Sequence, residues 1–268
     1  MFIRRTVLFL SLLLAVPVFA NLVQPLQSGN TILIPVAGST PGGFGTYFRS
    51  EIHIINFLNE PQPVELYWLP SDGSGQNIPP VRVTIPALTG IASDDFVFDI
   101  MKREGLGSIL IIPMTPAGTL STNARLQATS RIWTRTPGSD GTVSQTFPSI
   151  PTAGVNSSTL QLIPSTMRIN SQYRLNVGII NFSVFPQRYT VTYSTGSGAS
   201  RVDEDHEVDV PALGMRHLNF DTRRQGVVQV SIRNDTGSSS SPSWIAYASN
   251  VDNITGDAWS FLSFNAPQ

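Results

Sequence analysis

Three groups of residues in this chain could do chemistry: its histidines, one dense acidic run, and a row of cations around a tryptophan. His53, His206 and His217 are the available general bases. Nucleophilic catalysis would need one of them beside a positioned hydroxyl. No Gly-x-Ser-x-Gly elbow occurs, and no two histidines stand at the His-x-x-x-His spacing that holds zinc. Exposed or loop histidines are therefore expected, with no catalytic residue, no metal site and no cofactor. The acidic run is Asp203-Glu204-Asp205-His206-Glu207, followed by Asp209. Oxygen ligands at close spacing could hold calcium, but the EF-hand spacing and its glycine are missing. A solvated hairpin tip is the expected form, with the calcium question left open. Asp252, Asn253 and Asp257 around Thr255-Gly256 read as a β-turn. The third group is Arg131, Trp133 and Arg135. If Leu126, Ala128, Ser130 and Ile132 face inward on a strand, these three stand in a row outward. Such a row suits stacking on a sugar ring or a cation–π pairing, and equally an Arg–Trp–Arg stack covering its own sheet. It is the candidate ligand-binding set.

Groups of this kind must be positioned by strands, because helix signals are almost absent. Apolar residues alternate with period two between clusters of Gly, Pro, Asn, Asp and Ser. The run Phe48-Arg49-Ser50-Glu51-Ile52-His53-Ile54-Ile55-Asn56-Phe57 recurs as Tyr173-Arg174-Leu175-Asn176-Val177-Gly178-Ile179-Ile180-Asn181-Phe182, displaced by 125 positions. The same displacement carries Pro61-Gln62 onto Pro186-Gln187 and Pro86-Ala87-Leu88 onto Pro211-Ala212-Leu213. The chain is a tandem duplication. In the first repeat, strands are expected at residues 30–35, 48–57, 64–68, 81–85, 109–112 and 126–132, about seven in all, with a Gly-rich loop at 38–45. A single helical turn is expected at residues 99–104. The second repeat follows the same plan, with Phe220 answering Phe96 and Asp252 in the slot of Trp133. Asn56 and Asn181 end buried strands, where a side-chain amide can satisfy loop backbone groups. Pro86 and Pro211 stop strands, since proline cannot donate to a ladder.

Composition narrows the function classes. The absence of cysteine excludes disulfides, a thiolate nucleophile and a Cys-type zinc site. A net charge of −1, with only 13% of residues charged, argues against nucleic acid or an acidic membrane as partner. Residues 1–20 read as a cleaved signal peptide: Arg4 and Arg5 precede a short apolar run, Pro17 breaks it, and Val18-Phe19-Ala20 offers a cleavage site. An exported protein, periplasmic or extracellular, is expected, with no membrane span after signal cleavage. The expected division is signal peptide 1–20, leader 21–30, sandwich 31–147, linker 148–158 and sandwich 159–268.

Several runs carry a resemblance. Arg49 leading to Ile54-Ile55-Asn56-Phe57, then Val83-Thr84-Ile85-Pro86-Ala87-Leu88, Ser130-Arg131-Ile132 and Thr146-Phe147-Pro148 follow one another in the first repeat. The second closes on Ala246-Tyr247-Ala248-Ser249-Asn250-Val251-Asp252-Asn253-Ile254-Thr255-Gly256-Asp257. In these runs the chain resembles bacterial secreted tandem immunoglobulin-like β-sandwich modules of uncharacterised function. The resemblance spans nearly all of the mature chain, departs chiefly in the serine-rich loop 238–241, and brings no activity with it. It implies an all-β fold of two tandem immunoglobulin-like sandwiches. The expected function is a non-enzymatic interaction or structural spacer module whose partner is another protein or a cell-surface polymer. The rival expectations are a carbohydrate-binding module using the Trp133 face and a two-domain periplasmic chaperone that lends a strand to clients.

Overall fold

A computed structural model describes residues 31–136, 138–152, 155, 159–219, 226–236 and 243–265. The expected signal peptide and leader, Phe220 and the loop 238–241 lie outside the described residues. The fold is all-β. The first repeat supplies β1 (Ile32–Pro41), β2 (Tyr47–Asn56), β3 (Gln62–Pro70), β4 (Val81–Ile85), β5 (Gly90–Ser93), β6 (Gly105–Pro113), β7 (Leu126–Arg135), β8 (Thr142–Pro148) and β9 (Ile150–Pro151). The second supplies β10 (Leu160–Ile169), β11 (Tyr173–Asn181), β12 (Gln187–Thr195), β13 (Val202–Val210), β14 (Gly214–Asn219), β15 (Gly226–Asn234), β16 (Trp244–Asp252), β17 (Ala258–Leu262) and β18 (Phe264–Asn265).

The duplication is visible in the topology. In the second repeat one sheet runs β13-β12-β15-β10-β18 and the other β14-β11-β16-β17, all antiparallel. The first repeat has the same two orders, β4-β3-β6-β1-β9 and β5-β2-β7-β8. They are joined into one nine-stranded sheet because β1 changes partner: Ile32 to Ser39 pair with β6, and Thr40 and Pro41 pair with β2. The register breaks at a bulge between Ile34 and Ala37, and the change of partner follows at Thr40.

Several sequence expectations shift. β1 runs on through Gly38 to Pro41, so the Gly-rich loop expected at 38–45 is half strand. The helical turn is α1 (Phe96–Asp99), one turn earlier than expected, with Phe96 and Val97 buried. Core anchoring at Phe96 sets its start. Lys102, at φ 54°, turns the chain out of helical geometry before Glu104. Residues 150 and 151, inside the expected linker, pair with Leu33 and Ile32 as β9.

Among the described residues, three apolar cores hold this arrangement. One is built only from the first repeat and includes Ile32, Ile34, Ile52, Ile54, Leu66, Trp68, Ile109 and Ile111. One is built only from the second and includes Val177, Ile179, Tyr189, Val191, Val230, Ile232 and Trp244. The third draws on both: Leu33, Val36, Leu69, Leu110 and Phe147 meet Ile180, Met215, Ile245 and Tyr247. Its existence explains the sequence pattern. In β6, Ile109 and Ile111 face the first core while Leu110 and Ile112 face the third, so a strand covered on both sides reads as a continuous apolar run. β15, its equivalent, has one face in water and alternates Val228, Val230, Ile232 with Gln229, Ser231, Arg233.

The residues common to both repeats serve the backbone. Asn56 Nδ2 donates to Glu60 O at 2.8 Å and Pro86 O at 3.2 Å, while Asn56 Oδ1 accepts from Leu58 N at 3.0 Å. Asn181 repeats the pattern with Phe185 O at 2.8 Å, Pro211 O at 3.0 Å and Ser183 N at 3.0 Å. Each asparagine replaces missing ladder partners at a strand end, which is why its neighbours can turn without leaving buried groups unpaired.

Candidate functional site

The sheet β5-β2-β7-β8 has one face on the first core, and the period of two puts alternate side chains of β2 and β7 on the other. There Arg131, Trp133 and Arg135 alternate along β7. Pairing of β2 with β7 sets Arg49 opposite Trp133 and Glu51 opposite Arg131. Arg131 donates from Nη1 to Glu51 Oε2 at 2.8 Å and from Nη2 to Thr142 Oγ1 at 2.9 Å. His53 lies 3.1 Å from the other Glu51 oxygen. The hydrogen bond from Arg131 first, and that with His53 second, hold the Glu51 carboxyl below its ordinary range.

Trp133 is half-buried and tethered, with Nε1 donating to Asp94 O at 3.1 Å. The Arg49 guanidinium carbon lies 4.8 Å from the Tyr47 ring centre and 5.7 Å from that of Trp133. Its Nε is 3.4 Å from Asp95 Oδ2, which also accepts from Ser39 Oγ at 3.1 Å. Asp95 Oδ1 is buried without a hydrogen-bond partner. Next to this stack a shallow depression of about 360 Å³ is lined by Gly45, Tyr47, Arg49, Arg135 and Ser139. Arg135 is exposed. An aromatic edge beside two guanidinium groups can receive an anion or a sugar, with Arg135 the exposed donor and Arg49 the one held by Asp95 and Tyr47. Tyr47, Arg49 and Asp95 are absent from the sequence-derived set. Only the pairing of β2 with β7 brings Arg49 to Trp133, and no single-strand pattern encodes it. That pairing also moves one assignment by a residue. Arg174 stands opposite Val251, so Val251, and not Asp252, fills the slot of Trp133.

The acidic run lies on β13, the outermost strand of its sheet. Asp203 pairs with Arg201 at 2.7 Å and Asp209 with Arg188 at 2.9 Å, while Asp205 accepts from Thr192 Oγ1 at 2.7 Å. Among the described residues no group of three or more His, Asp or Glu side chains converges on a point that could hold a metal ion. Charge along an edge strand deters pairing with other strands. His206 sits 2.8 Å from Glu204.

His217 differs from the other histidines. Its Nδ1 shares a 2.7 Å hydrogen bond with the Tyr247 hydroxyl, and its ring stacks on the tyrosine at 6.1 Å between centres. Burial first, and the Arg174 charge second, push the imidazole down to about 4. It is neutral at physiological pH and serves the packing of Tyr247 at the third core. The three histidines are dispersed over β2, β13 and β14. No protein-family model matches the chain, and no curated protein matches it in sequence.

Proposed function

We propose that the chain is an exported, non-enzymatic protein of two tandem immunoglobulin-like β-sandwiches, used outside the cytoplasm as a rigid interaction or structural module. The observation that carries this reading is the third core. Apolar surface from both repeats goes into fixing one sandwich against the other, which is what a frame presenting loops and faces at set distances requires. The same filling leaves the facing surfaces of the repeats to each other, and so favours a frame over a chaperone that must hold a client between its domains. Cell fractionation with N-terminal sequencing tests it. The mature protein should begin at Asn21 and lie outside the cytoplasm; an uncleaved cytoplasmic product would sink the reading.

A second reading, glycan or anionic-polymer binding by Arg131, Trp133 and Arg135, is favoured by the depression lined by Tyr47, Arg49 and Arg135, whose Arg49 guanidinium lies 5.7 Å from the Trp133 ring centre. Stacked aromatics of this kind contribute on the order of 1 kcal/mol to binding. A glycan array probed with wild type and with Trp133→Ala separates the two. A rigid frame gives no signal for either protein. Binding that the variant loses would move the function to this face.

A further inference from the structure

The two repeats meet head to tail, through different faces. The first offers the outer side of β3, β6 and β1; the second offers the outer side of β14, β11 and β16. At the rim, the turn Pro211-Ala212-Leu213 of the second repeat sits against the loop after β3. Leu213 O accepts from Gly75 N at 2.8 Å, Ala212 O from Ser74 Oγ at 2.8 Å, and Val184 O from Gln76 Nε2 at 2.6 Å. Leu213 holds a left-handed φ of 47° and packs its side chain into the third core.

Both parts of this joint occur a second time without a partner. The turn recurs as Pro86-Ala87-Leu88, with Leu88 at φ 54° and its N–H bonded to Leu58 O as that of Leu213 is to Ser183 O. Leu88 is 69% exposed, and Phe57 and Ile55 beside it are 43% and 41% exposed. Their counterparts Phe182 and Ile180 pack in the third core. A leucine kept in a left-handed turn and left in water carries a steric cost and an apolar exposure together, and an interface removes the second and gives a reason for the first. By the displacement of 125 the receiving loop Ser71-Asp72-Gly73-Ser74-Gly75 is answered, between the third and fourth strands of the other repeat, by Gly196-Ser197-Gly198-Ala199-Ser200. In the second repeat this loop is a tighter hairpin tip, with Gly198 left-handed and exposed.

We propose that copies of the chain associate in series, the Leu88 turn of one docking on the hairpin tip around Gly198 of the next. This deepens the structural-module reading and rests on it. A contact between unlike faces is not self-complementary, so it joins copies head to tail, as a row or, where the rotation closes, a ring. Charge supports the pairing. The sheet that Leu88 leads into carries Arg49, Arg131 and Arg135 against Glu51 and Asp95, while the sheet beside Gly198 carries Asp203, Asp205, Glu207, Asp209 and Asp235 against Arg168, Arg188, Arg201 and Arg233. The sheet positions that are apolar inside the chain are polar at the free ends: Thr192 and Ser231 stand where Tyr67 and Leu110 do. The contact between copies is accordingly weaker than the internal one and sensitive to salt.

Sedimentation velocity of the purified mature chain over a concentration series, at low and high ionic strength, tests this. The average mass should climb with concentration at low salt and fall back at high salt. Leu88→Glu should be monomeric, and so should Asp205→Arg/Glu207→Arg. Mixed in equal amounts, the two variants each retain one intact end and should form dimers that grow no further. Leu88→Gly, which frees the turn of strain while removing the side chain, should be folded and monomeric. A wild type that is monomeric throughout, a closed dimer that does not grow, Leu88→Glu assembling like wild type, or a mixture that stays monomeric would each overturn the proposal. None of these outcomes bears on export, which the fractionation reads separately.

Discussion

His217 and Leu88 show how much single side chains here depend on which repeat they occupy. His217 has a folded pKa near 4 against about 6.5 in the unfolded chain. The unfolded state therefore binds the extra proton between those values. Stability is complete above about pH 6.5 and declines as pH falls towards 4, by up to about 3 kcal/mol. Denaturant unfolding across this range should reveal that slope, and His217→Gln should flatten it; an unchanged slope would remove His217 as its source. The paired leucines give a second test. Leu88→Gly relieves a left-handed φ at an exposed position and should raise stability by about 1 kcal/mol. Leu213→Gly loses a packed side chain at the third core and should lower it by about 2 kcal/mol or more. Equal effects in thermal melts would mean that the two turns are not differently loaded.

At the scale of strands, period-two alternation was sufficient to locate the buried faces of β2 and β11. Ile52, Ile54, Val177 and Ile179 expose none of their surface. Replacing Ile54 or Ile179 by Ala should cost about 2–5 kcal/mol each, read from chemical denaturation, and a loss below 1 kcal/mol at either would contradict its core placement. What alternation could not reveal were the strands without an apolar signature. β5 is Gly90-Ile91-Ala92-Ser93 and β8 mixes Thr, Ser and Gln; both are edges whose pairing is set by neighbours rather than by their own residues. β1 hid its length because Gly38 reads as loop, whereas it supplies close approach: an added Cβ would lie 3.1 Å from Gly105 O. At the candidate site the row of Arg131, Trp133 and Arg135 was legible within one strand. Arg49, Tyr47 and Asp95 were not, because cross-strand register and the turn into α1 bring them there.

For the molecule as a whole, the third core makes the repeats one mechanical unit. Unfolding of wild type should be a single cooperative transition. Met215→Asp, which buries an unpaired carboxylate where both repeats meet, should split it into two while each repeat keeps its own core. A single transition in that variant, merely shifted, would mean that the joint does not couple the halves. The apolar run of β6 is visible in sequence, but its second buried face is not, since nothing in one repeat tells what covers it.

Gly178 makes the duplication work as a ratchet. A Cβ on it would lie 1.9 Å from the Tyr247 ring, while His53 at the equivalent place stands in water. The β11 segment transplanted into β2 meets no obstacle there, yet the β2 segment transplanted into β11 drives an imidazole into an occupied space. With an aromatic ring over that glycine the two halves are interchangeable in one direction only: the second repeat's strand fits the first, and the first repeat's strand does not fit the second.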